Sequence, residues 1–300
     1  MINRGIGLKL ILLILTSVTL IFFVIFGYNY VVSRDLIIKT AEENARNLAK
    51  ATVNRIDTVL ISVEKIPKNL ACFMEFFFYE GGQIIDLVGS VVESNPEIFG
   101  STIAFEPYSY NRNSLFFAPY YYRNNGKIDF SYIPYDYFYW DWYQIPKQLN
   151  RPTWSEPYFD EGAGNIVMST YSVPFYRTLL GERKMMGIVT ADVSLAWLQE
   201  IAGSIKIAQT GYGFLISKNG TFITHPDSSL VMNETIFSAA EERNSMELRE
   251  LGREMIKGNS GFVPFTSLVT GKRCWMVYAP LASNGWSFAA LFPQDELMED

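Results

Sequence analysis

The most constraining feature of this sequence is an uncharged apolar run near its N-terminus. The 24 residues from Leu10 to Ser33 carry no charge, and most of them are Leu, Ile, Val or Phe. As a helix, such a run measures about 36 Å, enough to cross the ~30 Å hydrocarbon core of a bilayer. Arg4 and Lys9 precede it, which predicts a cytoplasmic N-terminus. A cleaved signal peptide is the alternative, but it would be shorter and end in an Ala-x-Ala-like site.

Composition narrows the class of the remaining chain. The 300 residues are 49% hydrophobic and 19% charged, which predicts a sizeable core in one long domain or two compact ones. The net charge of −6 argues against a nucleic-acid partner, since phosphate binding needs a basic face. One His and two Cys exclude a tetrahedral Cys/His zinc site, and we expect no metal, haem or other cofactor. Cys72 and Cys274 are expected to be two buried thiols, although a disulfide between them stays open.

Apolar residues at three- and four-residue spacing predict a long helix that continues from the membrane. Pro67 is expected to kink or end this helix, and the charged residues between the apolar positions, such as Asp57, are expected to face water. The same spacing occurs in coiled coils, so the stripe either covers its own domain or also forms the seam of a homodimer. The stripe consists of Ile38, Ala41, Ala45, Leu48, Thr52, Ile56, Val59, Val63 and Ile66.

Two successive blocks of the chain share one order of elements: strands, a helical interruption, then antiparallel strands. This order predicts two α+β modules in tandem. The first block has helices at Gly82–Glu93, Asp141–Leu149 and Leu195–Ile205, and strands at Ser101–Glu106, Leu115–Tyr122, Ile128–Ile133, Trp154–Phe159, Ile166–Tyr176 and Met185–Val193. The second has strands at Gly213–Ser217, Thr221–Thr224, Gly261–Leu268, Lys272–Pro280 and Trp286–Phe292, and one charged helix at Ile236–Lys257.

Residues capable of catalysis are few. The single histidine, His225, stands before a proline at the end of a predicted strand, where a structural hydrogen bond is the expected role. The sequence contains no Gly-x-Ser-x-Gly motif, no Walker loop and no Gly-x-Gly-x-x-Gly motif that opens a helix. Asp160 and Glu161 could support glycoside hydrolysis, but they lie in a Gly-rich turn where solvated acids are the default. We therefore expect that this chain is not an enzyme.

Aromatic residues are concentrated in one segment of the first block. Between Phe105 and Tyr143, 17 of 39 residues are Phe, Tyr or Trp. Part of this set must be core, because aromatic side chains bury large areas. Tyr dominates, however, and each buried hydroxyl needs a hydrogen-bond partner. The segment favours a pocket that stacks on a small ligand and offers it hydroxyl groups.

The order of several short motifs resembles the double Cache (dCache) sensor domain of bacterial transmembrane receptors, from the anchor helix to Leu297. The resemblance implies a long N-terminal helix, a membrane-distal PAS-like module that binds ligand and a smaller membrane-proximal module. It implies a cytoplasmic N-terminus (1–9), a transmembrane helix (10–30), a stalk helix (31–76), the two modules (77–203 and 204–296) and the start of a connection to a second membrane helix (297–300). The motifs are Trp142-Tyr143, Trp154-Ser155-Glu156-Pro157-Tyr158, Tyr171-Ser172-Val173-Pro174, Gly187 to Leu195, and Gly211-Tyr212-Gly213-Phe214 through His225-Pro226.

Many members of this family are amino-acid sensors, in which a Tyr, an Arg two residues before Trp-Tyr and a later Asp hold the ligand. Trp140 stands where that Arg is expected and Ile145 where a further acid is expected, so the bidentate clamp for a carboxylate is lost. Asp192 is either the anion that binds an amine or a structural acid, and Arg123 or Arg151 could restore an anion site. The resemblance and the aromatic segment together predict the ligand-binding set Tyr121, Tyr135, Trp140, Trp142, Tyr143, Tyr158, Tyr171 and Asp192.

The function predicted from these features is extracytoplasmic sensing of a small organic ligand, plausibly an amine, by a receptor of the bacterial inner membrane. Residues after about 31 would lie in the periplasm, and the helices would carry the signal across the membrane. The run Gly5–Leu10 and the segment Trp154–Tyr176 are most similar to receptors linked to SpoIIE-like serine phosphatases. The alternatives are a periplasmic carbohydrate-active enzyme, which needs two acids across a cleft, and a structural or adhesive module, which would have no cavity.

Overall fold

The computed structural model describes residues 4–162, 164–203, 207 and 209–296. Its first element is a single helix, α1 (Arg4–Phe76), of 73 residues. Among the described residues, α1 is the one helix long and apolar enough to cross a membrane. Its most apolar 18-residue segment is not buried against the rest of the protein. The first residues 1–3, the junction at 204–206 and the segment 297–300 lie outside the described residues.

The helix α1 does not end at Pro67, so that part of the prediction is wrong. Pro67 lacks the N–H that an interior helical position would donate. The helix nevertheless continues for nine residues, because its next turns bury Leu70, Ala71 and Met74 in the core. Burial of these side chains offsets the lost hydrogen bond.

One face of α1 packs on both sheets of the molecule, as the apolar stripe predicts. Ala45, Ile56 and Val63 are all fully buried there. Asp57, predicted to face water, is only 8% exposed. Its carboxylate accepts hydrogen bonds from the N–H groups of Ala282 (2.8 Å) and Ser283 (3.2 Å) and from the Ser283 hydroxyl (2.6 Å). The reason is that a turn of the second sheet folds onto α1 and needs an acceptor there.

The distal module contains a seven-stranded antiparallel sheet of order β3-β2-β1-β7-β6-β4, with β5 paired to β6. The helix α2 (Gly81–Ser94) lies on the same side of this sheet as α1, and α3 (Asp141–Leu149) lies on the other. Its strands are β1 (Gly100–Phe105), β2 (Pro119–Asn124), β3 (Lys127–Tyr132), β4 (Thr153–Trp154), β5 (Tyr158–Phe159), β6 (Val167–Leu179) and β7 (Glu182–Ser194).

The proximal module contains a five-stranded antiparallel sheet of order β10-β11-β12-β8-β9. The helix α4 (Leu195–Gly203) precedes it. The predicted single helix over 236–257 is wrong, because a turn at Asn244 with φ of 48° separates α5 (Ile236–Glu242) from α6 (Met246–Ile256). The strands are β8 (Tyr212–Ile216), β9 (Phe222–Thr224), β10 (Gly261–Thr266), β11 (Arg273–Pro280) and β12 (Ser287–Pro293).

The architecture confirms the predicted α+β class, with a long N-terminal helix followed by antiparallel sheets. The two cysteines are free, and only Cys274 is buried, so the expectation of a buried thiol is wrong for Cys72. Cys72 lies on the face of α1 that points away from the core. His225 is buried, and its Nδ1 accepts a hydrogen bond from the Asp227 N–H (3.0 Å).

Candidate functional site

The distal module encloses a cavity between the centre of its sheet and α3. The space between its lining residues is about 220 Å³ with open solvent included, of which about 10 Å³ is free to a water-sized molecule. Strands β1, β6 and β7 form its floor, and the segment that leads into and through α3 closes it. The residues that line it are Thr102, Tyr120, Ile133, Tyr135, Trp142, Tyr158, Asp160, Met168, Thr170, Thr190 and Asp192.

Strand pairing places the polar residues of the floor side by side. Thr170 of β6 lies directly opposite Asp192 of β7. The Thr190 hydroxyl oxygen accepts a hydrogen bond from the Thr102 N–H (3.1 Å). Since side chains two residues apart lie on one face of a strand, Thr190 and Asp192 face the same cavity. Polar side chains thus occupy central strand positions that would otherwise be apolar core.

Asp192 is a buried acid of the site, at 2% exposure. Its Oδ1 accepts a hydrogen bond from the Thr170 hydroxyl (2.8 Å). Burial raises the pKa of this carboxyl to about 8, and the negative charge of Asp160 adds to the shift. An empty cavity therefore favours the neutral acid at Asp192 in mildly acidic solution.

Asp160 is a second buried carboxyl, at 1% exposure. It accepts hydrogen bonds from the Tyr135 hydroxyl (3.0 Å) and from the Gly164 N–H (2.6 Å). Burial raises its pKa, although both hydrogen bonds oppose the shift. The expectation of a solvated acid is wrong, because the Gly-rich turn closes over its own carboxylate and places it against Tyr135.

Aromatic rings form the walls of the cavity. The Tyr158 hydroxyl is 2.7 Å from the Thr170 hydroxyl, which connects it to Asp192. Burial raises the pKa of Tyr120, Tyr135 and Tyr158 above the ordinary value, so their hydroxyls stay protonated. Two buried donors, the Tyr120 hydroxyl and Trp142 Nε1, make no hydrogen bond of normal geometry among the described residues.

The structure brings together four of the eight residues predicted to bind ligand. Tyr135, Trp142, Tyr158 and Asp192 line the cavity. Trp140 packs against the outer side of the aromatic residues that line the cavity. Its ring centroid lies 5.0 Å from that of Tyr135 and 6.3 Å from that of Tyr158. Trp140 also lines an outer cleft that shares Trp142 and Tyr158 with the cavity.

The other three predicted residues do not line the cavity. Tyr121 lies on the opposite face of β2 and packs in the core beside α2. Tyr143 donates a hydrogen bond to Glu106 (2.7 Å) at the outer end of α3. Tyr171 also lies on the opposite face of the sheet, with its ring 5.2 Å from Trp154.

The arginines considered as substitutes for the missing clamp do not reach the cavity. The Arg123 guanidinium donates hydrogen bonds to the carbonyl oxygens of Val92, Asn95 and Ile98 and thereby anchors the end of α2. Arg151 lines a separate cleft between the two modules. Of the described residues that line the cavity, none is Lys, Arg or His.

Sequence reasoning missed seven lining residues. Their one recognisable signal is the alternation of polar residues within strands that are otherwise apolar, as in Thr170-x-Ser172 and Thr190-x-Asp192. The missed residues are Thr102, Tyr120, Ile133, Asp160, Met168, Thr170 and Thr190.

Comparisons with known proteins agree with this architecture. Residues 84–200 match the first PDC sensor domain of methyl-accepting chemotaxis protein-like receptors. The chain is 23% identical over 161 residues to the methyl-accepting chemotaxis protein McpC of Bacillus subtilis (strain 168), across 52% of this chain and 20% of McpC. The extracellular domain of the histidine kinase mmHK1S-Z3 superposes with a TM-score of 0.75 and 23% identity, across 88% and 96% of the two chains.

This chain has the fold of an extracytoplasmic sensor domain. The ligand-binding domain of the Pseudomonas aeruginosa amino-acid chemoreceptor PctB, in complex with L-Gln, superposes with a TM-score of 0.62 and 18% identity, across 86% and 93% of the chains. The matches named above are to chemotaxis receptors and to the extracellular domain of a histidine kinase. The chain matches about a fifth of the length of McpC.

Proposed function

We propose that this sensor domain binds a small organic cation in the distal cavity and signals its presence across the inner membrane. The observation that carries the proposal is a buried cavity with two carboxyl groups, Asp160 and Asp192, and no basic side chain among its described lining residues. A desolvated ammonium group compensates buried carboxylates, whereas a carboxylate ligand would add another acidic group beside Asp160 and Asp192.

The aromatic walls support the same ligand class. The rings of Tyr135, Trp142 and Tyr158 surround the cavity. A desolvated cation over such a ring gains up to about 2 kcal/mol. The family match to sensor domains argues against the carbohydrate-active enzyme, although two acids do share the cavity.

An α-amino acid is the second candidate. The unpartnered donors of Tyr120 and Trp142 favour a ligand that also carries an oxygen acceptor, because a buried donor without a partner costs free energy. L-Gln, the ligand in the PctB complex, has both an ammonium group and carboxylate oxygens. Trp140 in place of an arginine weighs against this candidate.

Isothermal titration calorimetry on the full chain in detergent decides between these ligands. The probes are choline, ethanolamine, L-glutamine and acetate. We expect the amines to bind, and Asp192→Asn to weaken binding at least about 100-fold because it removes the charge partner. Asp86→Asn, at an exposed position on α2, is the matched control and should leave the affinity unchanged. Binding of acetate alone, or amine binding that survives Asp192→Asn, would show that the proposal is wrong.

The place of this domain in a receptor follows from the same proposal. The apolar part of α1 would anchor the chain, with residues after about 31 in the periplasm. A homodimer through the long helix α1 and an output linked to a SpoIIE-like phosphatase remain predictions. The sequence match reported above is to a chemotaxis protein, and the structural matches are to a histidine kinase and a chemoreceptor.

A further inference from the structure

A second cleft lies where α1, the distal module and the proximal module meet. Its volume is about 500 Å³. The helix α1 contributes Glu64 and Lys68, and the distal module contributes the strand and loop from Arg151 to Glu156. The proximal module contributes Lys218 and the turn from Ala282 to Trp286. It is separate from the distal cavity, with which it shares no lining residue.

The back wall of this cleft is aromatic and fixed in position. Trp154 Nε1 donates a hydrogen bond to Glu64 (2.9 Å), and the Trp154 ring lies 5.9 Å from the ring of Trp286. Lys68 forms an ion pair with Glu64 (2.8 Å) and lies 5.1 Å from the centroid of the Tyr171 ring. These contacts fix the partly exposed ring of Trp154 in the cleft, where the apolar part of a flat or aliphatic ligand can pack on it.

Two cationic side chains of the cleft have no ion-pair partner. Arg151 and Lys218 are both exposed, and neither has a carboxylate within 4.0 Å among the described residues. Glu64 neutralises Lys68, so Glu156 is the one lining carboxylate left to offset the positive charges of Arg151 and Lys218. The cleft therefore has an excess of positive charge within a protein of net negative charge.

Asn284 adds a fixed donor to the same cleft. Its Oδ1 accepts a hydrogen bond from the Trp286 N–H (3.0 Å), which orients the amide. Its Nδ2 is buried and has no partner among the described residues. A donor left unpaired in this way costs free energy until an acceptor reaches it. Glu156 Oε2 is also buried and has no partner among the described residues. Its negative charge would repel an anion, so the anion-binding part of the cleft ends at this residue.

We propose that this cleft between the modules is a second ligand site, which binds a small carboxylate through Arg151, Lys218 and Asn284 with its apolar body against Trp154. Arg151 belongs to the distal module, and Lys218 and Asn284 belong to the proximal one. A ligand that joins them would hold the two modules in one relative position. The ligand class is opposite in charge to the one proposed for the distal cavity.

The test is calorimetry on the full chain in detergent, with benzoate, cyclohexanecarboxylate, succinate and inorganic phosphate as probes. We expect a carboxylate to bind more tightly than phosphate. Arg151→Gln and Lys218→Gln should each weaken binding at least about tenfold, because each removes one charge-assisted contact. Asn284→Asp should also weaken it, since this change keeps the acceptor for Trp286 but replaces the donor with a negative charge.

Two control variants show whether the carboxylate binds in this cleft. Lys127→Gln, in the exposed β2–β3 hairpin, removes a cation far from the cleft and should leave binding unchanged. Asp192→Asn disables the distal cavity and should leave carboxylate binding intact, so failure of the proposed amine site does not affect this result. The proposal is overturned if no carboxylate binds at millimolar concentration, if phosphate binds equally well, or if Arg151→Gln and Lys218→Gln retain full affinity.

Discussion

The two modules of this molecule use the buried faces of their sheets in opposite ways. In the distal module, Thr102, Thr170, Thr190 and Asp192 face a cavity from the central strands. In the proximal module, the corresponding layer between the sheet and helices α5 and α6 is filled by apolar side chains. That layer includes Phe214, Phe222, Ile236, Leu248, Leu251, Met255, Met276 and Leu291.

The difference shows what polar residues on a central strand mean. A buried polar group costs free energy unless it is satisfied, so an ordinary core excludes it. Among its described residues, the proximal module departs from this rule at Asn284, in the cleft described above, and at His225, whose Nε2 has no partner. Three aromatic rings lie within 5.7 Å of this imidazole, and burial lowers its pKa to about 4, which keeps it neutral near pH 7. The distal module instead concentrates polar groups around empty space, as a binding site does.

The strongest test of this comparison is the pH dependence of stability. The pKa of Asp192 is about 8 in the folded protein and 3.8 as its ordinary value, so between these values the folded state binds the extra proton. The free energy of unfolding should therefore fall as pH rises from 4 to 8, by up to about 1.4 kcal/mol per pH unit. Chemical denaturation at several pH values measures this slope. Asp192→Asn should remove most of it, and a slope unchanged in that variant would mean that the acid is not buried as described.

Two methionine substitutions compare the packing of the modules directly. Met276 is fully buried in the proximal core, and Met168 borders the distal cavity at 2% exposure. We expect Met276→Ala to lower the free energy of unfolding by about 4 kcal/mol, and Met168→Ala by about 2 kcal/mol, because a side chain next to empty space loses fewer contacts. Urea denaturation with a fluorescence readout checks both values. Equal losses would contradict the contrast between a packed and an open layer.

The smallest expected effect concerns the attachment of the proximal module to α1. Asp57→Asn keeps the size of the side chain but removes the charge that accepts three hydrogen bonds from Ala282 and Ser283. We expect a loss of about 1.5 kcal/mol in the free energy of unfolding. Asp86→Asn, at an exposed site, should change it by less than about 0.5 kcal/mol. If both variants unfold alike, the Asp57 contacts do not contribute to stability.

The sequence predicted the architecture well because the fold depends on periodic patterns. Most strand boundaries of both sheets lie close to those predicted, and the helix over Asp141–Leu149 matches its predicted bounds. The strand predicted over Trp154–Phe159 is instead the two short strands β4 and β5, and the one predicted from Leu115 begins at Pro119. The errors arose where the local conformation does not follow from the periodic pattern of apolar residues. Asn244 adopts a positive φ inside a run of good helix formers, and the turns after Pro67 are stabilised by distant core residues.

The site was less predictable because it depends on register and on contacts between distant segments. Tyr120 and Tyr121 are neighbours, yet only Tyr120 faces the cavity, and a shift of one residue exchanges the faces of a strand. Trp142 and Tyr143 at the start of α3 are also neighbours, yet only Trp142 lines the cavity. Asp160 looked solvated because its partner Tyr135 is 25 residues away, and no local pattern records that contact.

Because α1 is one continuous helix, its length determines how the apolar segment is oriented relative to the two sheets. At 1.5 Å per residue, its 73 residues measure about 110 Å, from the apolar segment past both sheets. Each residue inserted along it would turn one end relative to the other by about 100° and lengthen it by about 1.5 Å. The number of residues between Ser33 and the first buried alanine, Ala45, therefore sets which face of the apolar segment lies below the ligand cavity. An insertion or deletion in this part of α1 would therefore change the orientation of the apolar segment relative to the ligand cavity.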